Sequence, residues 1–230
     1  MASKKLQAYR GALSATEIAA GINAANANAL RLVEDAEVLL NSGRVPSAAS
    51  LASLSIEEAG KVSILRQLST ATSKDEVAAA WKSYRSHTHK NALWILPDLA
   101  ASGARKLDDL RPLFEKDAEH PFVLDQIKQL GFYTDCLGNQ HWSIPLEVID
   151  EELARNLIQT AKTLVGKRET TVQEIELWVQ FVGAAPRDDL SESQNALVNW
   201  YAAMQAAGLR PKGANEMERF INIGVLFPRE

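Results

Sequence analysis

The sequence has little of what exported and membrane proteins need. It contains one cysteine, Cys136, so no internal disulfide can form, and this fits a reducing compartment. Its apolar runs are short, such as residues 92–96, whereas a membrane-spanning helix needs about 20 apolar residues. No apolar segment follows the charged first residues, as a secretory signal would require. We therefore expect a cytoplasmic protein with no membrane partner.

Motifs for cofactors and metals are missing as well. The sequence has no P-loop, dinucleotide fingerprint, nucleophile elbow or zinc-ligand spacing. A di-metal carboxylate bundle needs Glu-x-x-His on facing helices. The positions three residues before the histidines hold other residue types: Tyr84, Ser86, Asp117 and Gly138. We expect neither a cofactor nor a metal site.

Acidic residues are absent from one stretch of an otherwise acidic chain. The net charge is −4, which argues against non-specific nucleic-acid binding over the whole surface. Between Val77 and Pro97 there is no Asp or Glu, and this stretch, the basic island, holds Lys82, Arg85, His87, His89 and Lys90. The basic island could meet an acidic partner, a phosphate or a buried carboxylate of the same chain.

What the sequence does contain is helical periodicity along nearly its whole length, which predicts an all-α fold. A helix is expected over 14–42, ended by Gly43. A second helix should follow with Pro46 in its first turn, so that the two helices form an antiparallel hairpin. A third helix should start at Ser73 and run to about Pro97.

The second half of the chain predicts more helices around one irregular insertion. Aromatic residues and a Gly-Asn turn between Gly131 and Pro145 predict a short β-hairpin or ordered loop. We divide the chain into a helical bundle over 1–183 and a helical C-terminal extension over 184–230, packed on the same core. Further helices are expected over 145–165, 171–182, 191–207 and 215–227.

The second helix carries acidic side chains on its apolar side. At helical spacing one stripe holds four aliphatic side chains: Leu51, Leu54, Val62 and Leu65. Glu58 falls in the middle of this stripe, and Glu57 and Lys61 lie on its flank, one turn apart. A carboxylate on an apolar stripe is costly unless a cation pairs with it. The sequence predicts that the basic island supplies this pairing.

Two interpretations of the basic island are open. Arg85 and His89 are four residues apart and share a helix face. Arginine can hold a phosphate bidentately and histidine can exchange a proton near neutral pH, a combination that suits phosphate chemistry. In the alternative, the basic side chains only neutralise Glu57 or Glu58 and lock two helices together.

Several segments, taken together, resemble a known family. The stretch from Leu30 to Lys61 resembles the first two helices of a HEPN domain, a helical-bundle superfamily typical of prokaryotic toxin and antiphage systems. Three motifs follow in an order that resembles the AbiV-type abortive-infection proteins: E-E-A-G-K (57–61), S-H-T-H-K (86–90) and K-Q-L-G-F-Y-T-D (128–135). The resemblance covers about Leu30 to Ile158.

The resemblance implies a HEPN-like antiparallel helical bundle that arrests growth or translation on phage infection, in response to a phage-encoded trigger. Many HEPN proteins are metal-independent ribonucleases that dimerise and bring Arg-x(4–6)-His motifs into a shared cleft, so a homodimer is implied. This chain departs from that motif. No arginine lies five to seven positions before a histidine, and the nearest match, Arg85 to His89, is one residue too short.

Two hypotheses follow for the site. In the first, a toxin-like ribonuclease, Arg85 binds the scissile phosphate and His87 or His89 moves the proton of the attacking 2′-hydroxyl. Glu57 or Glu58 orients that base. RNA-binding charge comes from three lysines: Lys61, Lys82 and Lys90. In the second hypothesis the protein is non-catalytic, the same charges form a buried network, and function lies in docking a phage or translation-machinery partner.

Overall fold

The computed structural model describes residues 7–115, 117–186 and 189–224, and within them helices are the dominant secondary structure. The α-helices are α1 (Ala15–Asn41), α2 (Val45–Ser69), α3 (Lys74–Arg85), α4 (His87–Lys90), α5 (Leu96–Ala101), α6 (His120–Phe132), α7 (Pro145–Val148), α8 (Glu151–Leu164), α9 (Val172–Phe181), α10 (Leu190–Ala206) and α11 (Glu216–Asn222). Two 3-10 helices cover Leu107–Phe114 and Gly138–Gln140, and two strands cover β1 (Asp135–Leu137) and β2 (His141–Ser143). The predicted all-α class with one short β-hairpin is confirmed. Among the described helices, none combines the length and the hydrophobicity that crossing a bilayer requires.

The hairpin of α1 and α2 has the predicted ends. Gly43, at φ 71°, reverses the chain after α1, and Pro46 lies in the first turn of α2. The early part of α1 packs on the late part of α2, where Ile18 shares a core cluster with Leu65. The later part of α1 packs on the early part of α2 in a second cluster that α6 and α8 complete. The two helices are therefore antiparallel.

Helix α2 is central, and more than half of its residues are buried. It contacts α1, α3, α4, α6 and α8. The predicted aliphatic stripe is therefore wrong. Its members Leu51, Leu54 and Val62 are only half-buried, and Glu57, rather than Glu58, is the glutamate that lies in the core. A helix that is enclosed on several sides has no single apolar face, so the positions of its leucines do not identify the buried side.

The predicted third helix is broken near its middle. Helix α3 ends at Arg85, where Ser86 adopts an extended conformation with ψ 131°. The Ser86 hydroxyl then caps the next turn by accepting a hydrogen bond from the backbone N–H of His89 at 3.4 Å. Residues 87–90 form the separate short helix α4. Because of this break, Arg85 and His89 do not share the helix face that the sequence predicted.

The later elements pack around the same bundle. In the predicted hairpin, β1 pairs antiparallel with β2, with Asp135 opposite Ser143. Helix α8 contacts α1 and α2, and α9 contacts α1 and α10. The rings of Trp178 in α9 and Trp200 in α10 meet edge to face, with 5.1 Å between their centroids. The boundary expected between residues 183 and 184 stays a prediction.

Candidate functional site

Glu57 is the centre of a buried ionic cluster. Its side chain is 3% exposed. Its Oε1 accepts a hydrogen bond from Lys128 Nζ at 2.6 Å, and its Oε2 lies 2.8 Å from His87 Nδ1 and 3.3 Å from Lys90 Nζ. His87 and Lys90 belong to α4 and Lys128 to α6, so three helices meet at one carboxylate. The predicted pairing of the basic island with an acidic side chain of α2 is confirmed for Glu57.

Two glycines let these helices approach closely enough to form the cluster. A Cβ at Gly60 would lie 1.9 Å from the carbonyl oxygen of Lys90, so the backbone of α4 rests directly on α2. A Cβ at Gly131 would lie 2.3 Å from a serine hydroxyl of α2, so α6 rests on α2 in the same way. Gly60 lies one helical turn after Glu57, and Gly131 lies one turn after Lys128. Each close approach thus stands beside a buried charge.

The imidazole of His87 connects the cluster to the protein surface. Its side chain is 57% exposed, although its Nδ1 reaches the buried carboxylate of Glu57. Since a carboxylate oxygen only accepts hydrogen bonds, Nδ1 carries the proton in this contact. Lys128 Nζ, 3.3 Å from the same Nδ1, is then a second donor rather than its hydrogen-bond partner. In the neutral imidazole, Nε2 therefore keeps its lone pair. This tautomer, protonated at Nδ1, is the one that a histidine general base adopts when a carboxylate holds it.

Two further members of the cluster, Lys128 and Asp125, were not predicted from the sequence as site residues. Lys128 Nζ donates to Asp125 Oδ1 and to Glu57 Oε1, each at 2.6 Å, and its side chain is 6% exposed. Burial by itself lowers the pKa of Lys128, but the hydrogen bonds to Asp125 and Glu57 outweigh burial and raise the pKa. Burial likewise raises the pKa of Glu57, but hydrogen bonds from Lys128 and His87 outweigh it and lower the pKa. Both groups are therefore charged at neutral pH. We call Glu57, His87, Lys90, Asp125 and Lys128 the Glu57 cluster.

The Glu57 cluster has the donor atoms of a metal site, but an ammonium group lies among them. Glu57, His87 and Asp125 each place one potential ligand atom within 4.8 Å of the others. Lys128 Nζ contacts all three side chains, at 2.6 Å, 3.3 Å and 2.6 Å respectively. The ammonium supplies the positive charge that two carboxylates need, and a metal ion would have to displace it. These residues fit a lysine-bridged cluster better than a metal centre.

Three of the predicted site residues are engaged elsewhere. The Arg85 guanidinium donates to the backbone carbonyls of Tyr9 and Trp81, and it stacks over the Trp81 ring with 4.9 Å to the centroid. Glu58 and Lys61 pair with each other on α2. The structure therefore brings neither Arg85 nor the Glu58–Lys61 pair into the Glu57 cluster.

The other two predicted residues lie on the surface nearby. Lys82 is exposed and lines a groove on α3 together with Arg85. His89 is exposed and lines a cavity of about 550 Å³ together with Thr88 and Lys90. Because Lys90 also contacts Glu57, this cavity, which we call the His89 cavity, adjoins the Glu57 cluster.

Comparison with known proteins identifies the family to which the chain belongs. The HEPN_AbiV family model, described as AbiV, matches residues 17–166. The chain belongs to the AbiV family of HEPN proteins. No curated protein and no solved structure matches the chain. The AbiV match includes every member of the Glu57 cluster and confirms the family that the three motifs indicated.

The three motifs that resemble AbiV proteins supply charged residues of the Glu57 cluster and the glycines beside them. E-E-A-G-K supplies Glu57 and Gly60, and S-H-T-H-K supplies His87 and Lys90. The third motif begins with Lys128, and its glycine follows at the same spacing as in the first motif. That repeated spacing of a charge and a glycine is the signal in the sequence that could have identified Lys128.

Proposed function

We propose that this AbiV protein acts in abortive infection by cleaving RNA without a metal ion, with His87 as the general base. The observation that carries the proposal is an imidazole that is 57% exposed and whose Nδ1 lies 2.8 Å from a carboxylate that is 3% exposed. Membership of the AbiV family supports the defence role. The carboxylate-held tautomer of His87 supports proton transfer as the chemistry.

The reaction needs one proton acceptor and nearby positive charge. Nε2 of His87 takes the proton of a ribose 2′-hydroxyl, whose oxygen bonds to the adjacent phosphorus while the bond to the 5′-oxygen breaks. The 5′-oxygen leaves and is protonated by water, and the products are a 2′,3′-cyclic phosphate and a 5′-hydroxyl. Glu57 holds the imidazole and stabilises the imidazolium that forms. Lys82, which is exposed on α3, offers positive charge to the RNA backbone, and the His89 cavity, of about 550 Å³, offers space beside the Glu57 cluster.

We also propose that the working unit is a homodimer. Exposed apolar side chains are concentrated within seven residues of β2 and α7: Trp142, Ile144, Leu146 and Val148. Such a concentration marks an interaction surface, and the HEPN resemblance favours a second copy of this chain as its occupant. In light scattering, Leu146→Glu should convert dimer to monomer. Val38→Glu, at a similarly exposed valine of α1, should not; an unchanged mass for Leu146→Glu would contradict the proposed interface.

A second function is favoured by the burial of the other cluster members. Glu57, Lys90 and Lys128 are 3%, 8% and 6% exposed, and their contacts tie α2, α4 and α6 together. In this case the cluster only holds the bundle. The protein would then act by docking a phage-encoded protein or a component of the translation machinery.

One set of variants separates the two functions. Purified protein is incubated with total RNA and tRNA in the presence of a metal chelator, with and without phage extract, and the RNA ends are mapped. His87→Ala should abolish cleavage and protection against phage while lowering the melting temperature by only a few degrees, because the His87 side chain is more than half exposed and Lys90 and Lys128 still pair with Glu57. His141→Ala, at an exposed histidine of β2, is the matched control and should retain both activities.

Three outcomes distinguish the ribonuclease from the docking function. Intact RNA in every reaction contradicts the ribonuclease. Loss of protection that accompanies an equal loss of thermal stability in His87→Ala favours the docking function. If His87→Ala loses protection while its melting temperature changes little, a purely structural role for His87 is contradicted.

A further inference from the structure

The segment before α1 lies against the last turns of α3, and we call it the N-terminal strap (residues 7–13). It forms neither a helix nor a strand, and residues 7–10 are exposed. Leu13, at the end of the strap, packs against a core cluster beside the start of α1. The AbiV match begins at residue 17, so the strap belongs to a part of the chain that the family model does not cover.

Two backbone carbonyls attach the strap to α3. The indole Nε1 of Trp81 donates a hydrogen bond to the carbonyl of Gly11 at 2.8 Å, and the Arg85 guanidinium donates to the carbonyl of Tyr9. The Tyr9 ring meets the Trp81 ring edge to face, with 6.1 Å between their centroids. Tyr9 is 58% exposed, so this contact buries little of its apolar surface. A segment held by so few buried contacts can detach while the rest of the protein stays folded.

The strap binds Arg85 through an uncharged group. The second acceptor of the guanidinium, the carbonyl of Trp81 at 3.4 Å, is also neutral, and the guanidinium stacks over the Trp81 ring. A phosphate group is a stronger partner than a carbonyl, because it is charged and can accept two parallel hydrogen bonds from one guanidinium. The contact between the strap and Arg85 is therefore one that a phosphate can replace.

A groove of about 480 Å³ lies beside these contacts. Three cations line it, and none of the described residues that line it is acidic: Arg10, Ala78, Trp81, Lys82, Arg85 and Ser86. Ser86 is followed in the chain by His87, the proposed general base. The positive charge of the groove is therefore unbalanced and adjoins the candidate site, while the strap occupies the guanidinium of Arg85.

We propose that the N-terminal strap is an autoinhibitory element that withholds Arg85 from RNA. The proposal rests on the ribonuclease proposed above, in which cations near His87 bind the RNA backbone. When the strap is attached, the guanidinium donates to the carbonyl of Tyr9. When the strap detaches, the same N–H groups can hold a phosphate. RNA therefore binds the detached form more tightly, and its apparent affinity falls with the fraction of molecules in that form.

The test measures RNA binding by the full chain and needs no cleavage. The probe is a short single-stranded RNA with 2′-O-methyl groups, which lacks the attacking hydroxyl, and binding is followed by fluorescence anisotropy. Tyr9→Gly removes the ring contact with Trp81 and loosens the strap backbone. This variant should bind the probe about fivefold more tightly than the wild type, or better, because more of its molecules are detached. Gln7→Gly, at an exposed position of the same strap, is the matched control and should bind like the wild type.

Trypsin measures detachment independently of RNA. The cut after Arg10, identified by mass spectrometry, lies within the strap and requires it to leave α3. Cleavage at this bond should be faster in Tyr9→Gly than in the wild type and in Gln7→Gly. Equal rates in the three proteins would overturn the proposal, because Tyr9 would then not hold the strap.

Arg85→Gln identifies the group that the strap withholds. In an Arg85→Gln background, Tyr9→Gly should no longer improve binding of the probe. An improvement of the same size would overturn the proposal, as would wild-type affinity in Tyr9→Gly alone. Tighter probe binding in Tyr9→Gly, without cleavage of unmodified RNA by any variant, would support the strap and contradict the ribonuclease. The two proposals can therefore fail separately.

Discussion

The substitution Gly60→Ala tests whether the Glu57 cluster depends on the close contact between α2 and α4. In Gly60→Ala the new Cβ would lie 1.9 Å from the carbonyl oxygen of Lys90, whereas ordinary contact begins at 3.4 Å. The two backbones must therefore separate by roughly 1.5 Å, the difference between these distances. Because the obstructing atom belongs to the backbone, rotation of a side chain cannot relieve the clash.

The expected cost combines packing and lost contacts. Helix propensity alone would make the substitution favourable by about 1 kcal/mol. Overpacking a well-packed core costs about 1–3 kcal/mol. Displacing α4 also moves His87 and Lys90 beyond hydrogen-bond reach of Glu57, from 2.8 Å and 3.3 Å, which costs about 1–2 kcal/mol more. We expect a net loss of about 1–4 kcal/mol, or roughly 2–16 °C in melting temperature for a chain of this size.

Gly21→Ala is the matched control for this experiment. Gly21 lies within α1, and a Cβ there would meet Leu65 Cδ1 at 3.4 Å, an ordinary contact. This variant should be as stable as the wild type or more stable by up to about 1 kcal/mol. Thermal unfolding and phage protection are measured for both variants. If Gly60→Ala matches the wild type in both assays, the close contact does not build the cluster and the reasoning is refuted.

Three further predictions concern charges and the single thiol. Lys128→Met should lower the free energy of unfolding by about 3–5 kcal/mol, because Glu57 and Asp125 lose their shared cation; an unchanged value in urea titrations would contradict this. Burial raises the pKa of Glu57, but hydrogen bonds from Lys128 and His87 lower it below the reference value of 4.5, so the unfolded chain binds this proton at higher pH than the folded protein does. The stability that Glu57 adds is complete above pH 4.5 and is lost as the pH falls through the pKa of the folded protein. In Glu57→Gln the free energy of unfolding should therefore fall less steeply at acidic pH than in the wild type. The same pH dependence in both proteins would show that the pKa of Glu57 is not shifted. Cys136 is exposed and should react with a thiol reagent in the native protein about as fast as in denaturant, and strong native protection would place it inside the fold.

Local signals were enough to predict the scaffold. Gly43 and Pro46 act within a few residues of themselves, as a left-handed chain reversal and as a fixed first turn, and the hairpin of α1 and α2 followed from them. The hairpin of β1 and β2 was predicted from its turn in the same way. Features whose cause lies nearby in the chain can be inferred from one sequence.

The candidate site depends on packing between distant parts of the chain. Asp125 and Lys128 are three residues apart, a spacing typical of an exposed ion pair on a helix, and only the docking of α6 on α2 buries Lys128. The end of α3 was missed for the same reason, since α4 lies against Gly60 of another helix. Choosing Glu57 over Glu58 also required knowing which side of α2 faces its neighbours.

The charge balance of the Glu57 cluster would allow a buried network to include the general base that we propose. Two carboxylates, Glu57 and Asp125, face two ammonium groups, Lys90 and Lys128, so the cluster is neutral without any charge on His87. Had His87 been the sole partner of Glu57, each loss of its proton would have left a buried carboxylate uncompensated, at a cost of several kcal/mol. Because Lys128 and Lys90 remain in contact with Glu57, the proton transfer that we propose for Nε2 of His87 would not leave the buried carboxylate without a cation. Substitutions of the lysines should therefore affect mainly folding, and substitutions of His87 should affect mainly chemistry.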